Sequence, residues 1–491
     1  MFKRIKSLLL ENKTTKQTIA KNTFWLFLGN FGGKAVKAAL IIYSARVLGA
    51  HGYGVFAYAI SLAGLFTVFI DFGINAVITR ESTRDLSLQN KYFATAFVVK
   101  IFMLLAVTAA IFLLAPLFIK QGEVLALLPI VVFMVGLDGF RDFGAALARA
   151  WEKMEIEAVV QIFTNFMVLA AGFIALYYSP TPKSLSIGYV IGVGLGTIAA
   201  FYPFRRYFKN FWGAFSKNLI GKMLLSSWPL GMLGVMGAIM LNTDTIMIGW
   251  YKSLSDVGYY GAAQRITTFL YLIPALMGTA FFPSMAQHIV DKERFKKILE
   301  RGLSLMSLVA IPLTVASVIL SGDIIRLLYG AEYLPAINMF KIMNLTYLPI
   351  FLSAAFGNAI FALNKERKLI TYVILGVFGN FLFNLLLIPY FGAEGAAVST
   401  VINQTIITLY LIWTLKKEFS FKVLHQVEKI ILATVVMTVA ILAARMIRTN
   451  LYLIVSLGLA AYFFILYLTK EQALRETLGI LGIKIKDPDN I

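Results

Sequence analysis

The sequence predicts an all-α protein that passes through a membrane about fourteen times. Three observations carry this. Hydrophobic residues make up 59% of the 491 and charged residues only 14%. Fourteen apolar stretches, nearly all of about 20 residues or more, the length that crosses a hydrocarbon core, tile the chain almost end to end. Lysines and arginines collect in the gaps between them. Lipid offers backbone groups no partner, so such stretches must be helices. A net charge of +20 would suggest nucleic acid in a soluble protein. Here its placement points to topology, and no nucleic-acid partner is expected.

Residues 1–21 come first, with Lys3, Arg4, Lys6, Lys13, Lys16 and Lys21 around the short apolar run Leu8–Leu10. That run is too short for a cleavable signal. A basic segment lying on an anionic inner leaflet is expected instead. The spans follow at 22–47, 52–78, 92–118, 123–147, 157–179, 184–204, 222–250 and 254–286. They continue at 298–322, 334–362, 369–390, 394–415, 427–446 and 450–469, leaving a tail at 471–491. With the N-terminus cytoplasmic, every second gap is cytoplasmic. Those gaps, the span ends beside them and both tails hold 32 of the 45 lysines and arginines, and the opposite ends hold seven. The positive-inside rule therefore puts both termini of this multi-pass cell-membrane protein in the cytoplasm.

Two matches point to an internal repeat. His51-Gly-Tyr-Gly-Val-Phe-Ala-Tyr-Ala-Ile60 opens span two and aligns with Val257-Gly-Tyr-Tyr-Gly-Ala-Ala-Gln-Arg-Ile266, which opens span eight. Ala148-Arg-Ala-Trp-Glu-Lys-Met after span four aligns with Ala362-Leu-Asn-Lys-Glu-Arg-Lys after span ten. Their shared order predicts an N-lobe at 22–208 and a C-lobe at 209–416, six spans each, with 417–470 outside the duplication. Six is even, so the lobes run in the same sense, as parallel repeats about an axis along the membrane normal. Gly29, Gly32, Gly33, Ala35 and Ala39 in span one let neighbouring helices approach closely.

Ionisable residues inside spans each cost about 2.5–3.5 kcal/mol at a helix centre, so they face protein or water. Lys34 and Lys37 sit near the middle of span one, in a polar stripe with Asn30 and Ser44. Arg265 lies about two turns inside span eight, and Lys341 two turns into span ten between Asn338 and Asn344. These four cations are candidates for a substrate-binding lumen; Arg265 or Lys341 paired with Asp244 of span seven is the structural alternative. Asp71, near the inner end of span two and followed by Phe-Gly, is a candidate hinge or gate. Asp138, Arg141 and Asp142 share one face of span four, which a local ion pair explains. Asp71, Asp138, Arg141 and Asp244 are the candidates for gating or ion coupling.

Enzyme signatures are missing. With no cysteine, thiol catalysis and cysteine-ligated metal are excluded. His51, His288 and His425 have no metal-ligand spacing, and no phosphate-binding Gly-rich loop appears, so neither metal nor cofactor is expected. No external loop is large enough to carry the acids and bases of a glycan ligase or polymerase, and no repeated filter motif suggests a channel.

Several runs resemble one family. They are Ala45-Arg-Val-Leu-Gly-Ala-His-Gly-Tyr-Gly-Val-Phe56, Ile70-Asp-Phe-Gly-Ile74 with Thr79-Arg-Glu81, and Asn242-Thr-Asp-Thr-Ile-Met-Ile-Gly249. Leu328-Tyr-Gly-Ala-Glu-Tyr333 and Asn384-Leu-Leu-Leu-Ile-Pro-Tyr-Phe-Gly-Ala-Glu-Gly-Ala-Ala397 complete the set. Together they resemble the Wzx-type polysaccharide and O-antigen flippases of the multidrug/oligosaccharidyl-lipid/polysaccharide exporter superfamily. The resemblance implies two six-helix lobes around a cavity open alternately to either side, and a polyprenyl-pyrophosphate-linked oligosaccharide as cargo. It also implies membrane lipids, glycosyltransferases and a polysaccharide polymerase as partners. Lys34, Lys37, Arg265 and Lys341 would then attract the pyrophosphate. Related lipid II flippases also carry a thirteenth and fourteenth helix, so that substrate stays open, as does a cation-coupled multidrug exporter.

Overall fold

Glycine stands at both places where the chain turns back within what would otherwise be one very long helix. The computed structural model describes residues 15–209, 211–423, 427–447 and 449–471, apart from the side chains of 15–24, 26–28, 30, 31, 34, 86, 207 and 280. The basic segment expected at 1–21 and the tail at 471–491 fall largely outside the described residues.

Helix α1 (Thr15–Asp71) has 57 residues, which would measure about 85 Å if straight, against a bilayer core of about 30 Å. Gly49 breaks it, with φ 67° and ψ 177°. Lys37 and Phe56 both lie against the ring of Tyr189, at 5.5 and 5.3 Å; on a straight helix they would be about 28 Å apart. The chain therefore folds back at Gly49, and α1 supplies spans one and two. Helix α14 (Glu366–Lys416) does the same at Gly392, with φ 61° and ψ −141°. There Ser399 donates to the Asn380 carbonyl (3.3 Å) and Asn403 to that of Gly376 (2.8 Å).

Between them come α2 (Ile74–Arg84), α3 (Gln89–Phe118), α4 (Gly122–Ala150), α5 (Met154–Tyr178) and α6 (Pro182–Phe201). A 3-10 turn (Tyr202–Phe208), α7 (Lys217–Tyr251), α8 (Leu254–Leu270), α9 (Leu272–Gln287) and α10 (Lys292–Ile319) follow. Then come α11 (Ser321–Tyr329), α12 (Ala336–Asn344), α13 (Tyr347–Ala362) and, after α14, α15 (Glu428–Met446) and α16 (Leu451–Leu468). Among the described residues twelve helical segments are long and apolar enough to cross a membrane. Two of them turn back on themselves at a glycine, in keeping with an expectation of about fourteen passages.

Besides span two, which the chain leaves at Phe72–Gly73 before α2 begins, two expected spans are broken near their middles. Span eight divides at Tyr271 into α8 and α9, and span ten divides at Leu345–Thr346 into α12 and α13. Proline causes both breaks: Pro274 has no N–H for the Leu270 carbonyl, and Pro349 none for that of Leu345. The breaks meet, since the Tyr271 and Thr346 hydroxyls are 2.6 Å apart.

Small residues set the closest packing. Along α6, Gly188 faces the Ala171 carbonyl and Gly172, Gly192 faces Val168 and Gly196 faces Thr164, so α5 and α6 meet backbone to backbone. On α1, Gly29 sits against Ala158 and Gly33 against Asn165, whereas Gly32 meets nothing within 4 Å.

The chain forms two compact units that divide between Ala262 and Ala263, inside α8. In the first, α7 packs on α1, with Gly249 against Tyr58 and Gly231 against Phe72. Compactness thus groups α7 with the preceding helices, whereas the repeat expected from the sequence would put the lobe boundary at 208/209. The two divisions answer different questions, one about packing and one about duplication. In the second unit, a core of Leu299, Leu303, Met306, Phe351, Phe356 and Leu411 joins α10, α13 and α14. The pair α15 and α16 packs on α10, where the Tyr462 hydroxyl donates to the Leu308 carbonyl at 2.7 Å.

Candidate functional site

Asp71 closes α1 and holds the start of α2. The chain leaves the helix at Phe72 (φ 39°) and Gly73 (φ 81°). The Asp71 carboxylate then accepts from the Asn75 backbone N–H at 3.2 Å, fastening the first turn of α2. The same oxygen accepts from Lys100 Nζ at 2.6 Å. Lys100 lies on α3 with none of its surface exposed. It donates a second bond to Asn75 Oδ1 (3.0 Å), and its ammonium stands 5.5 Å from the centroid of the Phe143 ring. A carboxylate, an amide oxygen and a ring face thus share one buried charge that would otherwise be costly.

Asp71 and Asn75 line a polar cavity of about 780 Å³, together with Thr79, Arg80, Arg141, Asp142, Arg149 and Glu157. It lies where α1 and α4 end and α2 and α5 begin. Arg141 reaches Asp142 at 2.6 Å and Asp138 at 3.2 Å. Arg149 bridges α4 to α5 through Glu157 at 2.6 Å, and Arg80 pairs with Glu81 at 2.7 Å. Every arginine in the lining therefore has a carboxylate beside it. A charge-balanced cavity exerts little net pull on an anionic headgroup. It suits a network that rearranges when one member gains or loses a proton or a neighbour.

Of the expected site residues, the first unit brings together Asp71, Arg141 and, through Arg141, Asp138. Lys37 lies apart from them, exposed, with its ammonium over Tyr189 of α6. The Lys34 side chain is outside the described residues. Asp244 is buried on α7 and accepts from the Tyr260 hydroxyl at 2.5 Å. Arg265 and Lys341, in the second unit, are both exposed. Around Lys341, Asn338 donates to Glu394 (3.1 Å), while Asn344 is buried and bonded to Thr267 (3.2 Å).

Lys100 is the residue that sequence reasoning passed over. The signal was there: a single lysine in the apolar run Phe93–Leu105, two turns into span three.

Comparison with known proteins adds the family. The profile described as "Polysaccharide biosynthesis protein" matches residues 19–289, and one described as MatE matches 229–390. A putative O-antigen transporter of Shigella flexneri is 23% identical, over 81% of this chain and 97% of its own. The probable flippase AglR of Haloferax volcanii is 27% identical, over 81% and 84%. Among solved structures, a lipid II flippase MurJ in an inward closed conformation superposes with a TM-score of 0.75 at 17% identity, covering 91% of this chain and 99% of that one. An inward-facing multidrug transporter of the MATE family gives 0.64 at 13% identity, covering 80% and 94%. At these identities the likeness is one of fold.

Proposed function

The chain belongs to the polysaccharide biosynthesis protein family, and from that premise we propose that it is a flippase for a polyprenyl-pyrophosphate-linked oligosaccharide. It moves this cargo from the inner to the outer leaflet of the cell membrane by alternating access, in the assembly of a surface polysaccharide. One observation carries the reading: the family match over residues 19–289 falls on an all-helical chain in which, among the described residues, twelve helical segments are long and apolar enough to cross a membrane. The 32-to-7 asymmetry of basic residues supports cytoplasmic termini.

The working parts divide by charge. Two six-span lobes, 22–208 and 209–416, alternate about the cargo, and 417–470 is an addition to them. Lys34, Lys37, Arg265 and Lys341 receive the pyrophosphate while the polyprenyl tail stays in lipid. Support comes from the exposure of Lys37, Arg265 and Lys341 within apolar segments, since a cation there requires water or an anion to face. The balanced network around Asp71, Asp138 and Arg141, with Lys100, acts as the coupling element, because it joins a helix break to a buried cation. Asp244 is a second candidate for coupling. No cofactor takes part, and the cycle draws on the cargo's own gradient or on an ion gradient. Glycosyltransferases supply the cargo and a polymerase consumes it.

Lipid analysis of a deletion strain tests this. The expected result is loss of surface polysaccharide and accumulation of one polyprenyl-linked glycan, cleavable by glycosidase in inside-out vesicles and protected in right-side-out ones. Arrested wall growth with accumulated lipid II would replace the cargo with the peptidoglycan precursor. Normal lipids with heightened sensitivity to cationic drugs would replace the flippase with an exporter.

A further inference from the structure

A second cavity of about 620 Å³ opens on the first unit, and its lining shares no residue with the polar one. Helices α3, α4 and α6 wall it. Ile101 and Leu104 come from α3, Phe133 and Gly136 from α4, and Ile198 from α6. Its length is at least that of two helical turns, about 10 Å along α3 from Phe97 to Leu104. Gly136 deepens the floor, because a methyl group there would come 2.8 Å from Leu104. The one hydroxyl on the α6 wall is already used: Thr197 donates to the Leu137 and Val193 carbonyls, both at 2.9 Å. The interior therefore has nothing to offer a sugar or a headgroup.

The mouth is different. Arg205, at the turn after α6, lines it with its guanidinium 4.6 Å from the centroid of the Tyr202 ring. Among the described residues no carboxylate lies within 4.0 Å of it, unlike the arginines of the polar cavity. Arg206 and Lys209 stand beside it, both exposed. No acidic residue occurs between Glu157 and Asp244, so nothing in this stretch of sequence offsets those cations.

An apolar slot that runs into the membrane, with an unneutralised cation at its headgroup end, has the chemistry of an anionic lipid. We propose that this groove holds one acyl chain of an anionic glycerophospholipid, with its phosphate on Arg205. At roughly 30 Å³ per water-sized group, the cavity takes on the order of 20 such groups, enough for one chain. The glycan-bearing lipid proposed as cargo fits less well, since beyond Arg205 and the Tyr202 hydroxyl its sugars would find no free polar partner in the lining. The mouth is cytoplasmic on the orientation proposed above, the side on which anionic lipids attract basic segments.

The test uses the full-length protein purified in detergent, so its readout involves neither orientation nor transport. Phosphatidylglycerol and phosphatidylcholine with identical chains are compared by native mass spectrometry and by their effect on the thermal midpoint. One phosphatidylglycerol per chain should be retained, with a larger upward shift than phosphatidylcholine gives. Arg205→Gln should weaken retention about five-fold, the share of one lysine or arginine near an anionic surface. Ile101→Trp and Ile198→Trp each fill the groove and should abolish retention, and if one fails to fold the other decides. Ile174→Trp, on an exposed face of α5, should change nothing. Equal retention of both lipids, untouched by Arg205→Gln or by the filling variants, would reduce the site to ordinary boundary lipid and overturn the proposal. So would displacement of phosphatidylglycerol by polyprenyl phosphate at a lower concentration, which would assign the groove to the carrier lipid.

Discussion

Lys100 and Asp71 share one bond but not one environment, and the difference makes them unequal under mutation. Lys100 is fully enclosed, while a third of the Asp71 side chain faces the polar cavity. Removing the lysine leaves a carboxylate that water can reach. Removing the carboxylate leaves a buried ammonium with only Asn75 and a ring. Asp71→Ala should therefore destabilise by about 3–5 kcal/mol, the cost of orphaning a buried charge, and Lys100→Met by much less. The double variant should recover most of the loss, read as the thermal midpoint in detergent. Equal costs for both single variants would mean that water reaches Lys100 as well. For the lumen cations the expectation is about charge rather than shape. Lys34→Arg should keep most transport and Lys34→Ala lose most of it, with the amount of membrane-inserted protein unchanged in both. A matching loss of protein would make Lys34 structural. At this scale the sequence disclosed the Arg141 pairs whole, but only one partner of the pair between Asp71 and Lys100. Asp71 stood out because Phe-Gly follows it, and Arg141 because its acids sit at helical spacing. Lys100 became meaningful only once folding placed a residue 29 positions away against it.

Helices were read well from hydropathy, and their interruptions poorly. All fourteen spans have counterparts, because a run of about 20 apolar residues has little alternative in lipid. The breaks at Tyr271 and at Leu345–Thr346 escaped because a hydropathy window weighs Pro274 and Pro349 by their side chains. What matters there is the missing N–H. The turns at Gly49 and Gly392 were read as gaps between spans, although each hinges on a backbone conformation that glycine alone adopts comfortably. Gly392→Ala should cost about 1–3 kcal/mol, since φ 61° with ψ −141° lies outside the regions open to residues with a Cβ. Gly357→Ala, in the interior of α13 with open space around it, should be neutral or stabilise by up to about 1 kcal/mol. Thermal unfolding of the two variants side by side separates backbone strain from a general sensitivity to added methyl groups. If both lose equally, the turn at Gly392 is not the constraint.

Across the whole molecule, charge placement sets which way the chain enters the membrane. The absence of native cysteine makes the test direct. Single cysteines at Asn12, Ala214, Lys292, Glu366 and Ile480 should react only after permeabilisation, while those at Gln121, Pro182 and Ser253 should react in intact cells. A reactive Ile480 position in intact cells would mean an odd number of passages. The sequence was most legible at this scale, since the positive-inside rule sums many weak signals. The site was least legible, since assigning Lys34, Lys37, Arg265 and Lys341 to one lumen needs three-dimensional relations that no local pattern encodes.

The one-residue turns also govern how the protein meets its surroundings. Helices rejoined through Gly49 or Gly392 have almost no chain between them, and only two residues, Lys252 and Ser253, part α7 from α8. An antibody, a phage or a protease arriving at these points finds no epitope to grip and no strand to cut. An affinity tag inserted at Gly392 should abolish insertion into the membrane, whereas the same tag between Ala214 and Lys217, on the side proposed to be cytoplasmic, should be accepted. Immunoblotting of membrane fractions would tell the two apart. A cell that wears its surface polysaccharide as a coat would, on this account, keep the machinery beneath it nearly invisible.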